Sequence, residues 1–429
     1  MNTFSQKQKK QIPHAEWTKN LSIYEVNLRQ YTKDGTLKAF IPHLSKLKEM
    51  NAGILWFMPI NPIGEKNRKG SLGSYYSVKD YKAVNPEFGT IEDFKKVVEE
   101  AHKLGMYVII DWVANHTAWD NVWTKTHPEF YKKDKKGNFV SPFDWTDVIA
   151  LNYKSKKLWY AMLDAMMFWI EECDIDGFRC DVAAMVPLDF WKWAVPILNQ
   201  KKKIFMLAEA HEPELHQAFD MTYNWQLKDL FVATNKKEKS AEDFYNFFQQ
   251  EKKEYPVDAY RMNFTSNHDE NTWHGTDKER FGDAREMFAV LTSVVPGMPL
   301  VYSGQEACLD KRLNFFEKDP IDWKDCNMRN IYTALFKLKK DNPAIWNGNF
   351  GGKFYPLSVN NKNVFAFVRQ KDNHQVVAFF NISENKTEIE FKSKRLNGEY
   401  IDLFSNKKNQ MDEKVNLELD GWGYKIFYK

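Results

Sequence analysis

Eight short apolar runs, at residues 22–28, 53–58, 107–111, 175–181, 204–209, 219–223, 261–265 and 299–302, constrain this chain more than any other feature. Most are separated by amphipathic stretches long enough for crossover helices, which is the pattern of parallel strands. Between the first two runs, Leu37, Phe40, Ile41, Leu44 and Leu47 repeat at helical spacing. Between the second and third, Phe94, Val97, Val98, Ala101 and Leu104 do the same and stop at Gly105, a residue suited to the left-handed position that ends a helix. Eight βα repeats in one chain predict an α/β fold of the (β/α)8 barrel kind.

The rhythm breaks twice. Residues 116–152 are polar and aromatic, with a turn signal at Lys136-Gly137-Asn138, and read as a short insertion after the third strand. Beyond residue 350 the runs become short and β-like, among them 364–368, 375–381, 388–391 and 423–428, set apart by Asn, Gly and Lys. The expected organisation is a barrel from residues 1–115 and 153–350, an insertion at 116–152, and an all-β sandwich at 351–429.

Bulk properties exclude several partners. Lys and Arg number 61 against 58 Asp and Glu, a formal charge of +3, which offers no field for nucleic acid or a membrane surface. The short lysine clusters at 7–10, 132–136 and 201–203 read as solvated loops and helix ends. No stretch reaches the roughly 18 apolar residues of a membrane span. The first residues carry no apolar leader core, so the expected location is the cytoplasm, or the periplasm or exterior if the chain is a mature form. Cys173, Cys180, Cys308 and Cys326 form no metal-like spacing and read as reduced thiols, with a single disulfide as the alternative. Fifteen Trp are compatible with a well-packed core or with rings that stack on sugars. Oligomeric state is open.

Barrel enzymes place their chemistry at the C-terminal ends of strands. Four runs here end in polar clusters: Asp111-Trp-Val-Ala-Asn115-His116, Arg179-Cys-Asp181, Ala208-Glu209, and Ser266-Asn-His268-Asp269. A lone acid at such a place is usually a helix cap or a surface charge. Charges at the ends of four strands converge on one mouth, and burying them without partners is costly.

The order and content of DWVANH, GFRCD, LAE and SNHD resemble the signature regions of the α-amylase family of glycoside hydrolases, with a weaker match at Ala150-Leu151-Asn152. The resemblance also covers Tyr76 and the stretch from Pro299 to Glu306. It implies a retaining enzyme for α-glucosidic, mainly α-1,4, bonds of starch-like glucans or maltooligosaccharides. Asp181 would be the nucleophile, Glu209 the acid/base, and Asp269 the third carboxylate, gripping the distorted sugar. Retaining glycosidases hold the first two roughly 5–5.5 Å apart. His116 and His268 would bond the same ring, Tyr76 would lie beneath it, and Asp111 would orient Arg179. Arg179, two residues before Asp181 and so on the same strand face, is expected to keep that nucleophile ionised. The resemblance requires no cofactor, with a calcium ion at Asn115, helped by Asp144 or Asp147, as the alternative.

Departures from the pattern bear on specificity. The Lys-His pair frequent after the nucleophile is replaced by Ala184-Met185, which removes a sugar contact and leaves only the Met185 carbonyl for a metal. The fifth region lacks its acid before Leu151. His211, two residues past Glu209, is expected to line the acceptor side or to be a loop histidine. Water or a second sugar can resolve the same covalent intermediate, so hydrolase and transglycosylase readings share every residue. A third reading, a non-catalytic transporter-associated relative, would predict a membrane span and lost catalytic groups.

Overall fold

The computed structural model describes residues 12–429, so the lysines at 7–10 lie outside the described residues. The strands, in chain order, are β1 Ile23–Val26, β2 Ile54–Phe57, β3 Tyr107–Trp112, β4 His116–Ala118, β5 Val148–Ala150, β6 Gly177–Cys180, β7 Phe205–Ala208, β8 Met221–Tyr223, β9 Tyr260–Asn263 and β10 Met298–Tyr302. All but β4 and β5 close into a parallel barrel in the order β1-β10-β9-β8-β7-β6-β3-β2. Each of the eight runs read from the sequence overlaps one of these strands, five of them enclosing it whole.

The strands are apolar without alternation because both faces are buried. The period of two still sorts them. Ile23, Ile54, Ile109, Phe205, Met221 and Met262 fill the barrel interior. Tyr24, Leu55, Val108, Phe178 and Met206 face the surrounding helices. Two residues above the interior layer, the same inward parity belongs to Glu25, Asp111, Arg179 and, one step beyond β7, Glu209. The register confirms the level, since Asp111 pairs with Arg179 and Glu25 with Trp56. Gly177 makes the closure possible. A Cβ there would sit 1.9 Å from the Phe205 carbonyl oxygen, and its φ of +154° is one that side-chain-bearing residues rarely adopt.

The crossovers depart from eight equal helices in two places. Pro42 interrupts the periodic stretch after β1, giving helices Leu37–Phe40 and Leu44–Glu49 with a 3-10 turn at Ile41–His43 between them, because proline lacks the amide and clashes with the preceding turn. Between β7 and β8 the only helical piece is a 3-10 turn, Pro213–Gln217, since the connection is too short for a full crossover helix. By contrast, the helix Ile91–Lys103 begins with a Thr90–Asp93 capping box, and Gly105 follows it at φ +71°.

The insertion is anchored by the antiparallel pair β4–β5, and its expected turn falls at 134–138. After the barrel come β11 Lys353–Pro356, β12 Val364–Lys371, β13 His374–Asn381, β14 Thr387–Lys392, β15 Gly398–Asp402, β16 Lys408–Met411, β17 Lys414–Leu419 and β18 Tyr424–Tyr428. Six form one antiparallel sheet and β14–β17 a second, with Val364, Phe379, Ile389, Phe391 and Val415 packed between them. The opposite face of the larger sheet packs on the barrel helices, Phe365 lying 5.1 Å from Phe244. Cys308 and Cys326 are bonded to each other, which corrects the expectation of four reduced thiols; Cys173 and Cys180 are free and buried. Among the described residues no helix is long and apolar enough to cross a membrane.

Candidate active site

One guanidinium organises the barrel mouth. Arg179, fully buried, places Nη1 at 2.9 Å from Asp111 Oδ1 and 3.2 Å from Asp181 Oδ1. Its Nη2 lies 2.8 Å from Glu209 Oε1, too bent for a hydrogen bond but a close charge contact. Asp111 is in turn fixed by Trp56 Nε1 at 3.2 Å and the Tyr76 hydroxyl at 3.0 Å. The second oxygen of Glu209 accepts the Val182 amide at 2.8 Å. Val182 holds φ +37°, ψ +48°, a left-handed conformation costly for a β-branched residue. Strain of this kind concentrates at functional sites, and here it turns the amide after Asp181 onto Glu209.

At the end of β9 the chain makes a π-helical turn, Glu270–His274. That turn brings Trp273 back so that its Nε1 donates to Asp269 Oδ1 at 3.2 Å. His268 stands between Glu25 Oε1 at 2.6 Å, the Tyr76 hydroxyl at 2.7 Å and Asp269 Oδ2 at 3.3 Å. Burial alone would lower the His268 pKa, but Asp269 and Glu25 outweigh it and hold the imidazole well above its ordinary value, charged. Burial would raise Asp269, but His268 brings it below the usual carboxylate range.

The mouth gathers Glu25, Asp111, Asp181, Glu209 and Asp269 around Arg179 and charged His268. Burial first, then the charge of Glu209, pushes Asp181 well above its ordinary pKa although Arg179 opposes the shift. Arg179 favours the charged form, as expected of its charge, but works against that burial. The arginine is shared, and its other carboxylates cancel part of its field at Asp181.

Asp181, Glu209, Asp269, Tyr76, His116 and His268 all line one cavity of about 330 Å³. Its walls also include Trp145, Trp273, Phe315, Phe316, Lys69 and Asp147, none of which the sequence reading assigned to sugar binding. Tyr76 stacks on Phe315 at 6.2 Å and 9°, and Trp273 is half exposed beside them. Trp145 meets His116 edge-on at 5.4 Å. Glu25 was also missed; the available signal was an acid at an inward position of β1, two residues after Ile23. His211 does not join the group. It is exposed, outside the cavity lining, with its ring 5.8 Å from Trp225.

The calcium ion expected at Asn115 would draw on Asn115 with Asp144 or Asp147. A calcium site needs six to eight oxygens. Among the described residues no three His, Cys, Asp or Glu side chains cluster as metal ligands. Asn115 turns its amide toward His116 Nδ1 at 3.2 Å, and Asp147 is occupied by the Lys69 ammonium at 3.0 Å.

Burial lowers two histidines below their ordinary 6.5, His116 to about 4 and His216 to about 3. Across that window the unfolded chain binds more protons than the folded one, so their contribution to stability is complete near neutrality and is lost as pH falls. His216 bonds the Thr222 hydroxyl through Nε2, meets the Tyr255 ring edge-on and lies away from the cavity. A His216→Gln variant is expected to lose about 2 kcal/mol less stability than the parent between roughly pH 7 and pH 5, read by chemical denaturation. An identical pH dependence would refute the assignment of His216 as buried and neutral.

Comparison with known proteins adds the following. The family profile described as "Alpha amylase, catalytic domain" matches residues 4–150 and 131–382, and that of "Maltogenic Amylase, C-terminal domain" matches 354–426. The chain is 26% identical to alpha-amylase 2 of Dictyoglomus thermophilum, over 91% of this chain and 73% of the relative. It is 26% identical to an alpha-1,4-glucan:maltose-1-phosphate maltosyltransferase of Picrophilus torridus, over 86% of this chain and 62% of that protein. Its structure resembles the noncanonic maltogenic alpha-amylase AmyB from Thermotoga neapolitana, with a TM-score of 0.87 and 29% identity over 96% and 99% of the two chains.

Proposed function

The chain belongs to the α-amylase family, and on that premise we propose that it is a retaining glycoside hydrolase of α-1,4-linked glucans or maltooligosaccharides, with Asp181 and Glu209 as the working pair. The observation that carries this reading is that both carboxyls sit on the two arms of one buried guanidinium, at the edge of one sugar-sized cavity. A retaining mechanism requires the proton on Glu209 and the charge on Asp181.

Asp181 attacks the anomeric carbon as Glu209 gives its proton to the leaving oxygen, so one C–O bond forms while the glycosidic bond breaks. Glu209, now ionised, takes a proton from water as that water displaces Asp181, and the α configuration is restored. Charged His268 and Asp269 face the ring from the other wall, where hydrogen bonds that strengthen as the ring flattens lower the barrier. Tyr76 supplies the aromatic surface against which the ring packs.

The maltosyltransferase relative favours a second reading, in which a sugar hydroxyl replaces water in the second step. Incubation with maltotriose separates them. Hydrolysis gives only shorter sugars, and transfer gives products longer than the substrate. A failure to act on any α-1,4-glucan would remove both readings.

A further inference from the structure

The segment that follows β2 forms a strap across the barrel mouth. At one end the Leu72 amide donates to the Phe316 carbonyl at 3.1 Å and the Ser71 amide to Glu317 Oε1 at 2.8 Å, while the Ser71 hydroxyl bonds the other Glu317 oxygen. Gly70, at φ +66°, brings the backbone so close that a Cβ would stand 2.4 Å from Phe316 Cβ. At the other end Lys69 reaches Asp147 of the insertion at 3.0 Å, and the Glu65 amide donates to Asp120 at 3.1 Å. Three loops that could part around a long polymer are therefore tied to one another: those after β2 and β10, and the insertion after β3.

The position of the strap decides what it closes. In the barrel order β1 lies diametrically opposite β7, the strand that ends at Glu209. The strap joins the loops of β2 and β10, the two neighbours of β1. An acid that protonates the leaving oxygen must face the leaving group, so the sugar being transferred extends toward the far wall, away from Glu209. Lys69, Phe315 and Phe316 make up that wall, and the cavity of about 330 Å³ is at the small end of ligand pockets, which run from about 300 to 1,000 Å³.

We propose that this strap closes the glycone end of the site, so that the enzyme is exo-acting: it accepts an α-glucan by its non-reducing terminus and removes short units. The inference rests on the retaining α-glucan reading above and assigns Ser71, Glu317 and Lys69 as specificity-determining residues. A chain passing through the site to be cut internally would have to displace the Ser71–Glu317 and Lys69–Asp147 contacts together.

The test compares maltoheptaose with maltoheptaose whose non-reducing-end glucose carries a benzylidene acetal, both read by product chromatography. The expected result is cleavage of the free sugar and a kcat/KM at least about 100-fold lower for the blocked one. Cutting the strap from either end, by Ser71→Ala with Glu317→Gln or independently by Lys69→Ala, is expected to raise the blocked-to-free ratio about tenfold. Equal cleavage of both sugars would overturn the inference while leaving the retaining reading intact. A ratio unchanged in both variants would overturn the role of the strap. Cleavage of neither sugar would overturn the reading on which it rests.

Discussion

Asp181→Asn is expected to lower kcat on maltooligosaccharides by about 10⁴-fold or more while leaving the folded protein at least as stable as the parent. The amide cannot form the glycosyl ester, so the first bond-making step is lost. The stability half follows from the charge inventory. Asp181 is one of several acids competing for Arg179, and burial with Glu209 beside it already disfavours its charge. Removing that charge relieves repulsion and leaves the Arg179 contacts to Asp111 and Glu209 in place. Denaturant midpoints and initial rates on the same preparations check both halves. A variant that was destabilised yet retained activity would contradict each part of the argument.

Arg179→Met is expected to have the opposite stability effect, a loss of roughly 3–5 kcal/mol, because it strands buried carboxylates without their counter-charge. The side chain touches carboxylates from three separate strand ends, those of β3, β6 and β7. Arg179→Lys keeps the charge but replaces a planar fork by a single ammonium, which cannot serve the three acids in their present positions. It should recover part of the stability and little of kcat. Urea unfolding of the two variants beside the parent is the measurement. Equal stability of Arg179→Met and parent would show that the acids at the mouth are held by something else.

The two variants also mark what could be read from the sequence. Strands buried on both faces leave continuous apolar runs, so the eight barrel strands were visible as runs of residues. Asp111, Arg179, Asp181 and Glu209 stand at the ends of those runs and Asp269 just beyond one, and their convergence follows from barrel closure. What escaped depended on contacts distant in sequence. Glu25 meets His268 across 243 residues and Ser71 meets Glu317 across 246, and no local pattern announces either. Trp273 is aimed at Asp269 by a π-turn that helical spacing does not predict. The competition for Arg179 was hidden for a related reason, since the arginine is local to Asp181 while the competing acids Asp111 and Glu209 come from other strands. His211, two residues past Glu209, lies exposed outside the cavity lining, so proximity in sequence alone did not place it there.

The pairing of Asp181 with Glu209 across one sugar is tested most directly by the anomeric form of the new reducing end created at the cleaved bond of maltotriose, followed by proton NMR before mutarotation. Double displacement through Asp181 predicts that the α-anomer appears first, whether or not some of the intermediate is passed to another sugar. Initial formation of the β-anomer would mean a single displacement by water and would contradict the role given to Asp181.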